Sequence, residues 1–148
     1  MTHAPGRDLR SDDDIAAVVR SLGRVAVLGI RSEEHADRPA HYVPAYLAGA
    51  GVDVVPVPVY DPTATQILGR PVFRAVRDVP GPIDVVDVFR RPADLAAHRD
   101  DLLAARPRVV WLQSGIRDDA FCADLRAHGI DTVQDRCLLV EHRRFATR

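Results

Sequence analysis

Short apolar runs alternate along this chain with segments whose apolar residues fall at helical spacing, and that alternation most restricts the folds open to it. Val25-Ala26-Val27-Leu28 closes on Gly29; beyond a polar loop, Val43, Tyr46, Leu47 and Ala50 recur at a period of about 3.6. Further apolar runs lie within Val52 to Val59, from Ile83 to Phe89, at Val109 to Leu112 and near Thr132-Val133. Leu95, Leu102 and Leu103 mark a helix between two of these runs, and Phe121 and Leu125 mark another. Strand and helix in alternation, joined by short loops, make parallel βαβ units. The expected fold class is therefore α/β, a Rossmann-like doubly wound parallel sheet of about five strands in three layers (αβα). Right-handed crossovers favour the strand order 3-2-1-4-5.

One domain over residues 1–148 satisfies this pattern, because 148 residues that are 47% hydrophobic can bury a core without disulfide or metal support. Residues 1–10 read as a flexible tail and 11–22 as a leading helix. Ser11 caps that helix, Asp12, Asp13 and Asp14 fill its first turn, and Ile15, Val18, Val19 and Leu22 form one apolar stripe. Pro56 and Pro58 cannot donate ladder hydrogen bonds, so the second strand ends near Val55 to Val57 or lies at an edge there. Tyr60 to Gly69 reads as loop and Pro71-Val72-Phe73 as a short extra strand. Cys137 to Val140 fits either a last strand or the start of a helix.

The formal charge of -1 gives no basic field for nucleic acid or an anionic membrane. All 20 basic residues are Arg; with no Lys or Asn, a Walker-type phosphate loop, a Schiff-base lysine and N-glycosylation are ruled out. Two cysteines make no secreted disulfide framework, and no apolar run reaches the ~18 residues of a membrane span. The start is too acidic for a signal peptide. A cytoplasmic protein, open to homo-oligomer formation, is the expectation.

A helix that begins just past the carboxyl end of a buried strand aims its unpaired N–H groups and the positive end of its dipole at one crevice. Gly29, Ile30, Arg31 and Ser32 line the first such loop, Arg31 and Arg38 add charge, and Pro39 fits the first turn of the next helix. Together they make an anion cradle. The glycine-rich dinucleotide fingerprint is missing, and Val57, Pro58 and Val59 stand where an acidic residue would hold the ribose of NAD. Arg90 and Arg91 end the third strand. Either one pairs with Asp84, Asp87 or solvent, or it meets a phosphate; the strand-end position favours the phosphate for Arg90 and less so for Arg91. Gln113, Ser114 and Gly115 end the fourth strand, where a ligand can pass, while Trp111 belongs to the core. His41 and His142 read as packing or surface residues and Cys137 as a buried apolar residue. No nucleophile elbow, zinc motif or paired-cysteine motif is present, so catalysis and metal binding have no sequence support.

The segments Val27-Leu28-Gly29 with Arg38-Pro39, Ile67-Leu68-Gly69, Asp84 to Pro92, Trp111 to Gly115, and Asp135-Arg136-Cys137 with Glu141-His142 resemble small stand-alone CoA-binding proteins. These are similar to the amino-terminal Rossmann-like domain of the succinyl-CoA synthetase alpha subunit. The resemblance implies CoA or an acyl-CoA across the carboxyl edge of the sheet. Its diphosphate would lie over Gly29 to Ser32, its adenine side by Val57, Pro58 and the Phe89-Arg90 loop, and its pantetheine arm near Gln113 to Gly115. Arg38 and Arg90 would serve the phosphates. The synthetase's second domain, with its phosphorylated histidine, has no counterpart here, so the expected function is non-catalytic binding. The alternative is an NAD(P)-binding oxidoreductase or redox-sensing domain. Glu33 and Glu34 share the first loop, where inward carboxylates would repel a diphosphate.

Overall fold

A computed structural model describes residues 4–146. Strands β1 (Arg24–Leu28), β2 (Asp53–Val57), β5 (Val85–Val88), β6 (Val109–Leu112) and β7 (Asp131–Val133) form one parallel sheet in the order β2-β1-β5-β6-β7. A small antiparallel hairpin, β3 (Gln66–Ile67) and β4 (Arg70–Pro71), lies outside it. The helices are α1 (Asp12–Arg20), α2 (Pro39–Gly49), α3 (Arg99–Ala105), α4 (Asp119–Ala127) and α5 (Leu138–Phe145).

Side chains alternate across each strand, so every strand feeds two cores. Val25, Val27, Val85 and Trp111 pack under α1, α2 and α5, contributed by Ile15, Val19, Val43, Leu47 and Leu138. Ala26, Leu28, Val86, Val88 and Val110 pack on the other face against Leu102 of α3 and Phe121 and Leu125 of α4. Burial on both faces is why the strands read as unbroken apolar runs. Asp87 breaks the pattern: it is 0% exposed in mid-β5, and neither carboxylate oxygen has a hydrogen-bond partner among the described residues. Burial pushes its pKa well above the usual carboxylate range. It therefore pairs with neither Arg90 nor Arg91.

Counting only the sheet strands, the order is 2-1-3-4-5, which corrects the expected 3-2-1-4-5. The reason is Pro56. Val57 turns its carbonyl toward β1, accepting from the Gly29 N–H at 2.9 Å, so the neighbouring Pro56 faces away. Its carbonyl there accepts from the Phe73 N–H at 3.0 Å, and its missing N–H costs nothing because no further strand of this sheet lies outside β2. An interior second strand would have left that ladder broken.

Residues 4–10, expected as a flexible tail, are tied to β7. Arg7 accepts from the Thr132 N–H at 3.0 Å, Leu9 donates to the Thr132 carbonyl at 2.9 Å, and Leu9 is buried. This short stretch extends the sheet past β7 through main-chain bonds, which carry no side-chain signature. The part of the expected tail at Met1 to His3 lies outside the described residues. Ser11 caps α1 as expected, accepting from the Asp14 N–H at 3.1 Å, but the helix ends at Arg20. The extra strand falls at Arg70–Pro71 rather than at 71–73, and Cys137 to Val140 opens helix α5.

Candidate functional site

In this strand order the winding reverses between β1 and β5, so the loops after these two strands diverge and leave a crevice at their carboxyl ends. Gly29 shapes it. At φ +89 it occupies the left-handed region, and a Cβ there would overlap the Phe89 carbonyl oxygen and lie 3.5 Å from Arg90 Cδ. The β1 and β5 exits can therefore lie side by side, with the stem of Arg90 crossing over Gly29.

A cleft of about 670 Å³ opens above this crossing. Ten of the expected site residues line it: Gly29, Arg31, Arg38, Pro39, Phe89, Arg90, Arg91, Gln113, Ser114 and Gly115. Four do not. Ile30 and Val57 are 0% exposed core residues, because the chain turns inward immediately after Gly29 and at the end of β2. Pro58 lines a separate pocket with Arg74 and His98. The Ser32 N–H is taken by Asp61, at 3.1 Å, and faces another depression beside Glu33 and Glu34. Those two carboxylates consequently stay off the cleft, and Glu33 accepts from the Leu68 N–H at 2.9 Å.

The four arginines differ in how far they are neutralised. Arg31 lies 3.2 Å from Asp61, and Arg91, with 78% of its side chain exposed, pairs with Asp94 at 2.8 Å. Burial alone would raise the Asp61 pKa, but the Ser32 N–H and Arg31 outweigh it and hold the carboxyl below its usual value. Arg90 has only 12% of its side chain exposed and donates to two neutral acceptors, the Tyr60 hydroxyl at 2.8 Å and His98 Nε2 at 3.0 Å; Asp94 is 4.0 Å away. Burial, then the neighbouring Arg90 charge, lowers the His98 pKa, consistent with an unprotonated Nε2. Arg38 has no acceptor or carboxylate partner among the described residues.

Arg38 is also the N-cap of α2, and Pro39 occupies its first turn. His41 and Tyr42 return their N–H groups to the Arg38 carbonyl, leaving that of Ala40 without a partner among the described residues, on the cleft. An anion placed there meets the helix end and two under-compensated guanidinium groups. Tyr60, which the sequence reading passed over, sits between Arg31 and Arg90, with their Cζ atoms 5.0 and 5.3 Å from its ring centroid. Its place three residues past β2 was the available signal.

The far end of the cleft is built differently. Gln113 is only 3% exposed; its Oε1 accepts from the Leu138 N–H at 3.0 Å, while its amide nitrogen has no partner among the described residues. Gly115 donates to Asp135 at 2.6 Å, and Trp111 Nε1 donates to the Arg136 carbonyl at 2.7 Å. Arg136 pairs at 2.9 Å with Glu141, itself buried, and the Tyr46 hydroxyl meets His142 Nδ1 at 2.9 Å. The Asp135-Arg136-Cys137 and Glu141-His142 segments thus fasten α5 to β6 and α2. Cys137 is half-buried at the N-cap of α5, where it packs against the core under that helix and also lines the cleft. His41, which is buried, bonds the Arg31 carbonyl at 2.9 Å. No group of His, Cys, Asp or Glu among the described residues could hold a metal ion, and no helix among them is long and apolar enough to cross a membrane.

Comparison with known proteins shows the family and supports the fold. The CoA binding domain family matches residues 23–143, and the chain belongs to that family. It is 30% identical over 132 residues to the uncharacterised protein YneT of Bacillus subtilis (strain 168), covering 89% of this chain and 94% of that one. A Thermus thermophilus structure described as cell-free ID.343 is 40% identical with a TM-score of 0.83, over 92% of this chain and 99% of the other. A hypothetical protein from Pyrococcus horikoshii OT3 is 29% identical with a TM-score of 0.78, over 98% and 99%.

Proposed function

We propose that this member of the CoA-binding domain family holds CoA or an acyl-CoA in the cleft between the β1 and β5 exits, without catalysing a reaction on it, as a cytoplasmic carrier or sensor. The observation that carries the reading is the pairing of Arg90, largely buried with only neutral acceptors, with the partnerless Arg38 across one cleft. A largely buried guanidinium whose nearest carboxylate oxygen is 4.0 Å away is under-compensated, and a phosphate offsets that with bidentate geometry. The diphosphate then lies at the start of α2, and the pantetheine arm runs toward Gln113 to Gly115. The NAD(P) alternative gains nothing from Asp61, since its carboxylate is committed to Arg31 and the Ser32 N–H.

Thermal denaturation of nucleotide-stripped protein with CoA, acetyl-CoA, dephospho-CoA, NAD and NADP tests this. CoA at ~100 times its dissociation constant adds about 2.7 kcal/mol, or roughly 5 to 10 °C for a chain of this length. A rise with NAD or NADP but not CoA refutes the assignment.

A further inference from the structure

Cys137 lines the same cleft as the arginines, on its β6 side. Both of its neighbours are pinned to β6, since the Arg136 carbonyl accepts from Trp111 Nε1 at 2.7 Å and the Leu138 N–H donates to Gln113 Oε1 at 3.0 Å. The Cys137 side chain makes no capping hydrogen bond at α5 and is a free thiol. Beside it lies Gln113, almost wholly buried on the cleft, whose Oε1 is held by the Leu138 N–H and whose amide nitrogen is left to a ligand or solvent. The cleft therefore offers cations and a helix terminus together with a thiol held on the β6 side, next to the Gln113 amide. A ligand that carries phosphates, amide carbonyls and a sulfur matches this lining.

We propose that Cys137 is a thiol–disulfide exchange site that captures CoA from CoA disulfide as a mixed disulfide. The inference rests on the CoA reading of the cleft. The Cys137 thiol gives its proton to solvent, and its sulfur attacks one sulfur of CoA disulfide. The ligand's S–S bond breaks as the Cys137–CoA S–S bond forms, and the second CoA leaves as a thiolate that takes up a proton. The incoming disulfide is the oxidant, so no other is needed. A small thiol reverses the step. Cys122 cannot resolve the adduct, because it packs in the core on the opposite face of the sheet. It is also inert: burial pushes its thiol up to about 11.

The test incubates the reduced full-length chain with CoA disulfide or with cystamine at equal concentration, followed by intact-mass measurement and non-reducing tryptic mapping. The expected result is one CoA per chain, on the peptide Cys137–Arg143, reversed by dithiothreitol and formed at least about tenfold faster than the cystamine adduct. Cys122→Ser forms it equally fast, and a cooperatively melting Cys137→Ser forms none. Equal rates with cystamine, or CoA found on the Cys122 peptide, overturn the inference while leaving the CoA site intact if reduced CoA still raises the melting temperature. A wild-type chain whose melting temperature CoA does not move overturns the reading beneath it.

Discussion

Replacing Gly29 by Ala separates two costs that coincide at the crossing of β1 and β5. The first is backbone strain, since φ is +89 there and an L-residue in the left-handed region costs about 1 to 2 kcal/mol. The second is steric. The new Cβ would overlap the Phe89 carbonyl oxygen and stand 3.1 Å from its carbon, both main-chain atoms that cannot rotate away. Relief requires the β5 exit to move, which strains the Phe89 N–H to Leu28 carbonyl bond of 2.9 Å; overpacking of this kind costs about 1 to 3 kcal/mol. The sum is about 3 kcal/mol, or roughly 6 to 12 °C in melting temperature for a domain of this size. Gly51→Ala is the control. Gly51 has φ +92, yet nothing lies within 4 Å of its Cβ position, so it bears only the first cost, about 1 kcal/mol or roughly 2 to 4 °C. Circular-dichroism melts of both variants decide the matter. Equal losses would refute the close approach of the two strand exits, and with it the geometry that brings Arg90 over Gly29.

Asp87→Asn removes a buried ionisation at constant shape. The folded carboxyl binds its proton at pH values where the unfolded one, with a pKa near ~3.9, has lost it, so wild-type stability falls as pH rises above that value. The variant should match wild type near pH ~4 and gain on it by up to ~1.4 kcal/mol per pH unit until the folded carboxyl ionises; a pH-independent difference in urea melts would count against this. Glu141→Ala strips the buried partner of Arg136 and Arg144 and should cost about 3 kcal/mol in the same melts, with Glu141→Gln costing less. Tyr60→Phe keeps the ring but loses the acceptor for Arg90, and should weaken CoA about 2- to 10-fold by calorimetry with little change in stability. Arg38→Ala should weaken CoA more at low than at high ionic strength; a salt-independent loss would remove Arg38 from the phosphate contact.

Local signals gave the elements and most of the cleft because strand ends in this fold are also ligand loops. Gly29, Arg90 and Gln113 each close an apolar run, and the structure brings all three to one cleft. What went astray depended on neighbours distant in sequence. Ser32 lost its part in the cradle to Asp61, some thirty residues on. Residues 4–10 dock on Thr132 through main-chain bonds, to which hydropathy is blind. Cys137 reads as a core residue because the run that follows it is apolar; it does pack against the core, and its N-cap position also brings it to the cleft. Tyr60 gained its role only when Arg31 and Arg90, far apart in the chain, met across its ring.

By itself the sequence determined the alternation of strand and helix, the burial of the sheet on both faces and the arginine-rich strand ends, because periodicity and turn chemistry act over a few residues. It also held, in Pro56, the fact that makes β2 an edge strand, although the order only became plain with the sheet assembled. The tertiary structure alone decided where the winding reverses, which of the four arginines keep a close carboxylate, and that an ionisable Asp87 is enclosed with no partner among the described residues. Each of these is a sum over groups distant along the chain, since charge and desolvation depend on separation in space.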